Sequence, residues 1–294
     1  MRLLVTGGAG FIGSHLVDEL IKLGHKVLVI DNLSLGRKEN INPKAKFCKR
    51  DIRDYAAIKP VFKNIDCVFH LAAQPRIQPS IINPRESYEN NVLGTFNVLM
   101  AARDAKVGRL VYSASSSVYG DQERTPLTED MTPKPKNPYA LFKLMGEQKC
   151  HLFHRLYNLP VVCLRYFNVY GERQACEGAY ATVAGIFLLQ KSQNKPLTIV
   201  GTGEKRRDFT YVKDVVRANI LAMKSKKAVG QIINIGTGTN YSVNQVAAMI
   251  SPNSVFIPDR PGESKETLAD ISKAKKLLGW SPKMRLEKWI EGVI

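Results

Sequence analysis

Tyr139 and Lys143 stand four residues apart behind Asn137-Pro138, so in a helix that starts there both side chains project from one face. A phenol with an ordinary pKa of about 10 is a poor base at neutral pH, and an ammonium beside it stabilises the phenolate. Tyrosine and lysine at this spacing also occur on plain helix surfaces. A second feature lifts the pair: the apolar run 109–115 leads into Ser113-Ala114-Ser115-Ser116-Ser117. In an open sheet of parallel strands, the carboxyl end of such a run faces the crevice where ligands bind. A phenol, an ammonium and a serine hydroxyl facing one crevice form a candidate proton-transfer site.

The elements that must position these groups begin at the N-terminus. Leu3 to Val5 is an apolar run, T-G-G-A-G-F-I-G follows, and a second apolar run ends on Asp31. Read as strand, glycine turn, helix, strand and acid, this is the layout of a dinucleotide site. Gly7 serves the tight turn, Gly10 lets the backbone approach a pyrophosphate, and Gly13 permits close packing of the helix. The anion would rest on the helix N-terminus, where free N–H groups and the dipole favour negative charge. Asp31 at the strand end can accept from the adenosine ribose and repels a 2′-phosphate, which favours NAD over NADP. Further apolar runs at 45–52, 67–73, 109–115 and 161–167 alternate with helical patterns, so the fold class is α/β, a Rossmann-type doubly wound parallel sheet. We expect an NAD-binding domain over 1–167. Beyond it, frequent glycines and prolines break 168–294 into shorter elements, a smaller C-terminal substrate-binding region with some segments returning to the main sheet. The helical stretches 85–106 and 139–157 carry more apolar residues than one buried face requires, which points to packing on a partner subunit.

With 294 residues, 44% of them hydrophobic, the chain can bury a full core. There is no apolar run long enough to span a bilayer and no signal-peptide pattern, so we expect a cytoplasmic protein without membrane contact. Five cysteines lie scattered without metal-ligand or disulfide spacing and read as reduced packing residues, with no metal site. The formal charge of +17 admits two readings, nucleic-acid binding or a solvated basic surface. Short dispersed clusters without a nucleic-acid module favour the second.

Seven stretches, T-G-G-A-G-F-I-G, H-L-A-A-Q, S-S-S-V-Y-G, Y-A-L-F-K, R-Y-F-N-V-Y-G, R-R-D-F-T-Y-V and R-P-G-E, follow one another in the order seen in extended short-chain dehydrogenases/reductases. The chain most resembles the nucleotide-sugar 4-epimerases of the UDP-glucose or UDP-N-acetylglucosamine kind. That resemblance implies Tyr139 as the base, Lys143 as its partner on the nicotinamide ribose, and Ser115 as the hydroxyl aligning the sugar. Tyr139 would take the proton of the sugar 4-hydroxyl while C4 is oxidised by NAD, and the 4-keto sugar would turn over and be reduced on its other face. The resemblance further assigns to the cofactor Phe11 and Ile12, Asn32, the adenine pair Asp51 and Ile52, the segment Leu71, Ala72, Ala73 and Gln74, and Asn90, Ser113, Tyr166 and Phe167. To the nucleotide sugar it assigns Asn168, Thr198, Val200, Arg207, Arg260, Glu263 and Thr267. A UDP-sugar substrate and a homodimer through the helices near 85–106 and 139–157 are implied as well.

Related 4,6-dehydratases carry an Asp-Glu pair at the positions of Ser116 and Ser117, and related decarboxylases carry a glutamate at that of Ser117. Hydroxyls of ordinary pKa cannot replace those carboxyls, which favours simple epimerisation. Thr267, where hexose-restricted relatives carry a bulky aromatic, leaves room for an N-acetyl group or is a neutral surface residue. A non-catalytic NAD-binding regulator is the reading from another class, opposed by the intact Tyr139, Lys143 and Ser115.

Overall fold

The computed structural model describes residues 1–294. Its centre is a seven-stranded parallel sheet. Six strands are β1 (Arg2–Thr6), β2 (Lys26–Asp31), β3 (Lys46–Lys49), β4 (Cys67–His70), β5 (Arg109–Ser115) and β6 (Val161–Tyr166). The seventh, Ile232–Ile235, comes from the C-terminal part and pairs with β6, giving the order Ile232–Ile235, β6, β5, β4, β1, β2, β3. The inner strands β1, β2 and β4 to β6 are mainly apolar because helices cover both faces, whereas the edge strand β3, Lys-Phe-Cys-Lys, is partly exposed. Leu3, Val5, Val29, Phe69 and Val111 pack with α1 (Phe11–Lys22) and the helix Val212–Lys224 on one side. Leu4, Ile30, Val68, Leu110 and Tyr112 pack with Val98, Leu99, Cys150 and Phe153 on the other.

Register places the site. β1 pairs with β2 on one side and β4 on the other, so the strand order reverses beside β1 and a crevice opens at its carboxyl end. The helix Pro138–Tyr157 starts beside that crevice. Asn137 caps it, its side chain accepting from the Ala140 N–H at 2.8 Å, with Pro138 in the first turn where no N–H is needed. It ends at Asn158, in the left-handed conformation with φ 54°.

Three elements differ from the sequence expectation. The strands expected over 45–52 and 67–73 are shorter, because after Lys49 and His70 the chain turns along the crevice. The stretch 85–106 is three segments in line: Pro84–Tyr88, a π-helical turn Glu89–Leu93, and Gly94–Asp104. Lys149 Nζ donates to the Val92 carbonyl at 2.8 Å and Asn90 Nδ2 to the Glu86 carbonyl at 2.9 Å, satisfying carbonyls along the irregular stretch. Such turns are frequent at functional sites, and Asn90 here faces the crevice.

The remaining C-terminal segments form a smaller layer. Leu197–Val200 pairs with Ser254–Ile257 and Arg206–Asp208 with Asn240–Ser242. They are held by a separate core around Tyr170, Phe187, Val246 and Trp289. No helix is long and apolar enough to cross a membrane, and all five cysteines are free thiols.

Candidate active site

A single cavity of about 540 Å³ runs along the carboxyl ends of the central strands, between the sheet and the smaller layer. At one end lies the glycine turn. Gly7 has φ 75°, and a Cβ there would stand 2.6 Å from the Ala72 nitrogen; one on Gly13 would stand 2.1 Å from the Gly7 carbonyl oxygen. Only glycine fits either place, and Gly13 serves the packing of α1 on the turn itself. α1 begins at Gly10 with no side-chain cap, so its first N–H groups open into the cavity, as an anion-binding helix start requires.

Asp31 is buried at the end of β2. Its oxygens accept from Ala9 N–H at 3.0 Å and Leu33 N–H at 2.8 Å. Burial pushes its carboxyl up from the usual range, and those two N–H groups oppose the rise. These features fit the adenosine and pyrophosphate halves of NAD: an uncapped helix start for the anion, a carboxylate for the ribose, and glycines that let the turn pack tightly on the strand end and on α1.

Gly7, Gly10, Phe11, Ile12, Gly13, Asp31, Asn32, Ile52, Leu71, Ala72, Ala73, Asn90, Ser113 and Tyr166 all line this cavity, whereas Asp51, Gln74 and Phe167 do not. The Asp51 carboxylate is gripped by Arg53 at 2.7 Å and by Asn32 at 2.9 Å, which holds its pKa down at about 2 against burial. Gln74 ties its backbone N–H to Asn91 and its amide to the Tyr180 hydroxyl at 3.4 Å. Phe167 is fully buried with Val118, Tyr119, Leu127 and Ala269. In each case protein partners, rather than the cavity, take up the side chain.

Tyr139, Lys143 and Ser115 meet in the middle of the cavity. The Tyr139 N–H donates to Ser80 Oγ at 3.0 Å, fixing the helix start against the neighbouring helix Ile77–Ile82. Lys143 is 5% exposed and donates to the Ser113 carbonyl at 2.8 Å, with its ammonium 6.0 Å from the Tyr139 ring centre. The Ser117 hydroxyl donates to Ser115 Oγ at 2.8 Å. The protein groups by themselves do not acidify the phenol, and the expectation rests on the positive nicotinamide ring as well as on Lys143. Burial raises the Tyr139 pKa, while the Ser115 hydroxyl and the Arg76 charge pull it back. Burial also lowers the Lys143 ammonium to about 8. In both groups burial is the largest influence.

At the far end stand Asn168, Thr198, Val200, Arg207, Arg260, Glu263 and Thr267, all on the cavity wall. Glu263 pairs with Arg207 at 3.3 Å and Lys205 at 3.8 Å, so its carboxylate holds two cations in place. Thr267 Oγ1 accepts from Asn168 Nδ2 at 3.2 Å and from the Asp208 N–H at 3.3 Å, which leaves its methyl as the only other group on Cβ.

The sequence reading missed several lining residues: Arg50 near the adenosine end, Arg76 near Tyr139, and Tyr180, Thr182 and Phe187 from the smaller layer. The segment carrying Tyr180 shows no periodicity, and only its glycines marked it as irregular.

The NAD dependent epimerase/dehydratase family matches residues 3–236. The chain is 42% identical to the putative UDP-glucose 4-epimerase of Methanocaldococcus jannaschii over 300 residues, 99% of this chain and 97% of that protein. Among solved structures it is similar to the UDP-glucose 4-epimerase of Thermotoga maritima with UDP-glucose, at 38% identity and a TM-score of 0.96, covering 99% of this chain and 96% of that one. It is also similar to the UDP-N-acetylglucosamine 4-epimerase of Methanobrevibacter ruminantium in complex with UDP-N-acetylmuramic acid, at 36% identity and a TM-score of 0.93, with coverage of 99% and 96%. With the glycine turn, the Tyr139–Lys143 helix and the Ser115 strand end on one cavity, the chain belongs to the NAD dependent epimerase/dehydratase family.

Proposed function

We propose that the chain inverts C4 of a UDP-hexose, with NAD as its cofactor. The observation that carries this reading is one continuous cavity in which a glycine turn, a phenol with a serine hydroxyl, and an arginine-rich end succeed one another. Relatives across the whole chain length support it.

Bound NAD supplies a reversible two-electron acceptor for C4 and a positive ring that favours the phenolate. Tyr139 Oη takes the proton of the 4-hydroxyl and later returns it to the inverted alcohol, a role for a positioned acid–base group, the cofactor's positive ring opposing the rise that burial imposes on the phenol. Ser115, itself held by Ser117, aligns that hydroxyl. Lys143, fixed on the Ser113 carbonyl, holds the nicotinamide ribose. Arg207 and Arg260 hold the diphosphate with forked donors, Glu263 keeping Arg207 in place. Anchoring the nucleotide while leaving the sugar loosely held lets a 4-keto intermediate present either face. On this reading 1–167 binds the cofactor and 168–294 mainly the nucleotide sugar.

The alternatives of elimination and decarboxylation need carboxyl groups beside the sugar. The acidic residues on the cavity wall are Asp31 and Glu263, one at each end, and the wall beside Tyr139 carries Ser116 and Ser117. Incubating the purified protein with UDP-glucose and with UDP-N-acetylglucosamine, product configuration being read by NMR, tests the reading; an unchanged C4 configuration with both sugars rejects it. The small Thr267 supports acceptance of the acetylated sugar. Thr267→Tyr should shift the kcat/KM ratio away from that sugar by about tenfold or more; an unmoved ratio rejects Thr267 as the size filter.

The reading includes a homodimer and a cytoplasmic enzyme, the latter in keeping with five free thiols. Leu141, Leu152, Leu156 and Tyr157 are exposed on the helix Pro138–Tyr157, Leu156 at 59%. Tyr88, Leu93 and Phe96 are exposed beside them, bridged by the Tyr88–Phe142 and Phe96–Phe153 ring contacts. Such a contiguous apolar patch on two adjacent helices suits a second copy of the same surface. Sedimentation should give twice the chain mass, and Leu152→Glu with Leu156→Glu should give a monomer. A wild-type monomer would remove the dimer from the proposal.

A further inference from the structure

Arg76 is a charged side chain in a place that suits neither its backbone nor its charge. It follows β4 in Gln74-Pro75-Arg76-Ile77, with φ 82° and ψ 149°, a region that glycine adopts freely and other residues rarely. Its Nε donates to the Tyr180 carbonyl at 3.1 Å, pinning the stem to the smaller layer. The two terminal nitrogens make no hydrogen bond to protein and are not sealed off, so they open into the cavity. The buried Arg165 is paired with Glu147 and the half-buried Arg207 with Glu263. Arg76 has no carboxylate. Arg76 immediately precedes the helix Ile77–Ile82, whose Ser80 Oγ accepts from the Tyr139 N–H at 3.0 Å, and both Arg76 and Tyr139 line the cavity, so the guanidinium lies on the wall near the start of the Tyr139 helix.

We infer that Arg76 is a specificity-determining residue that binds a carboxylate carried by the sugar, so that the preferred substrate is a UDP-sugar with an acidic group on its hexose. This rests on the epimerase reading and deepens it. A half-buried cation with no carboxylate partner, its free donors facing a cavity, is set to bind an anion there. The substrate diphosphate is already met by Arg207 and Arg260 at the other end. A neutral hexose offers hydroxyls alone, whereas a carboxylate presents two oxygens to a planar fork of donors. The carboxylate can sit on C6 of the ring or on an ether substituent, and the same fork serves both.

Calorimetric titration of the NAD-containing enzyme with UDP-glucose, UDP-glucuronic acid and a 3-O-carboxyalkyl UDP-N-acetylhexosamine tests the assignment. We expect one acidic sugar to bind about 10- to 100-fold tighter than UDP-glucose, as charge-assisted hydrogen bonds would give. Which acidic sugar wins distinguishes ring from ether carboxylate. In Arg76→Gly, whose backbone suits the turn and which should therefore fold, that affinity ratio should fall toward one; Arg76→Lys should keep part of it. Equal binding of neutral and acidic sugars by the wild type, or a preference that survives Arg76→Gly, overturns the inference. So does a pattern in which Arg76→Gly moves the pH profile of turnover alkaline by the same amount for every sugar, because the guanidinium would then act on the Tyr139 phenol. Because the ratio is read from binding, it stands apart from turnover: no turnover of any sugar beside an intact ratio rejects the epimerase reading and upholds the Arg76 contact.

Discussion

Tyr139→Phe is expected to lower the rate of C4 inversion by about 10²- to 10⁴-fold, the range for losing a positioned acid–base group, while the protein keeps its fold and its NAD. The separation is possible because of how Tyr139 is held. Its backbone N–H is fixed by Ser80 Oγ, and the helix start is capped by Asn137. Neither depends on the phenol oxygen, which faces the cavity, and the ring that remains fills the same space. Lys143 stays on the Ser113 carbonyl, so the ribose contact of NAD is preserved. The measurements are product configuration by NMR, cofactor content by absorbance after denaturation, and a thermal melt. Activity within tenfold of wild type would show that another group takes the proton. Loss of NAD together with activity would show that the phenol binds cofactor and leave its role as base without support.

The features most legible in the sequence were those governed by local pattern. Parallel strands covered on both faces must be apolar throughout, and β1, β2, β5 and β6 appeared as such runs, β5 with both its ends. The glycine turn was legible because Gly7 and Gly13 meet backbone atoms at distances no side chain tolerates. What escaped was set by distant partners. Arg76 is aimed by the carbonyl of Tyr180, 104 positions later. Asp51 is held by Asn32, 19 positions earlier, as well as by its near neighbour Arg53, and the spacing does not show whether its carboxylate faces a ligand or the protein. The protonation balance of Tyr139 and Lys143 is not legible from spacing either, since spacing gives proximity but burial depends on the whole fold. The missed segment around Tyr180 reaches the site only because the smaller layer closes over the sheet.

Breaking the Glu147–Arg165 pair is expected to cost about 3–5 kcal/mol of stability, the range for removing one partner of a buried ion pair. Glu147 lies one turn beyond Lys143 on the helix Pro138–Tyr157, and Arg165 lies in β6. The two make a bidentate contact, Nε to Oε1 at 2.8 Å and Nη2 to Oε2 at 2.7 Å, with side chains 1% and 2% exposed. The guanidinium also lies 4.6 Å over the Tyr119 ring. Burial alone would lower the Arg165 pKa, and the Glu147 carboxylate more than reverses that, so the guanidinium stays charged inside the protein. Glu147→Ala therefore strands a full charge in a dry site, whereas Glu147→Leu with Arg165→Met removes both charges and should cost clearly less than either single change. The pair also fixes how deep the helix sits on the sheet, and with it the approach of Tyr139 and Lys143 to the Ser115 strand end. In the double variant, stability and activity should part, the fold recovering while inversion stays slow because the helix has lost its one charged tether to β6. Urea unfolding of Glu147→Ala, Arg165→Met and the double variant beside wild type measures the first effect and NMR turnover the second. A Glu147→Ala loss below about 1 kcal/mol, the range of exposed pairs, would mean that water reaches this contact and that packing alone sets the helix.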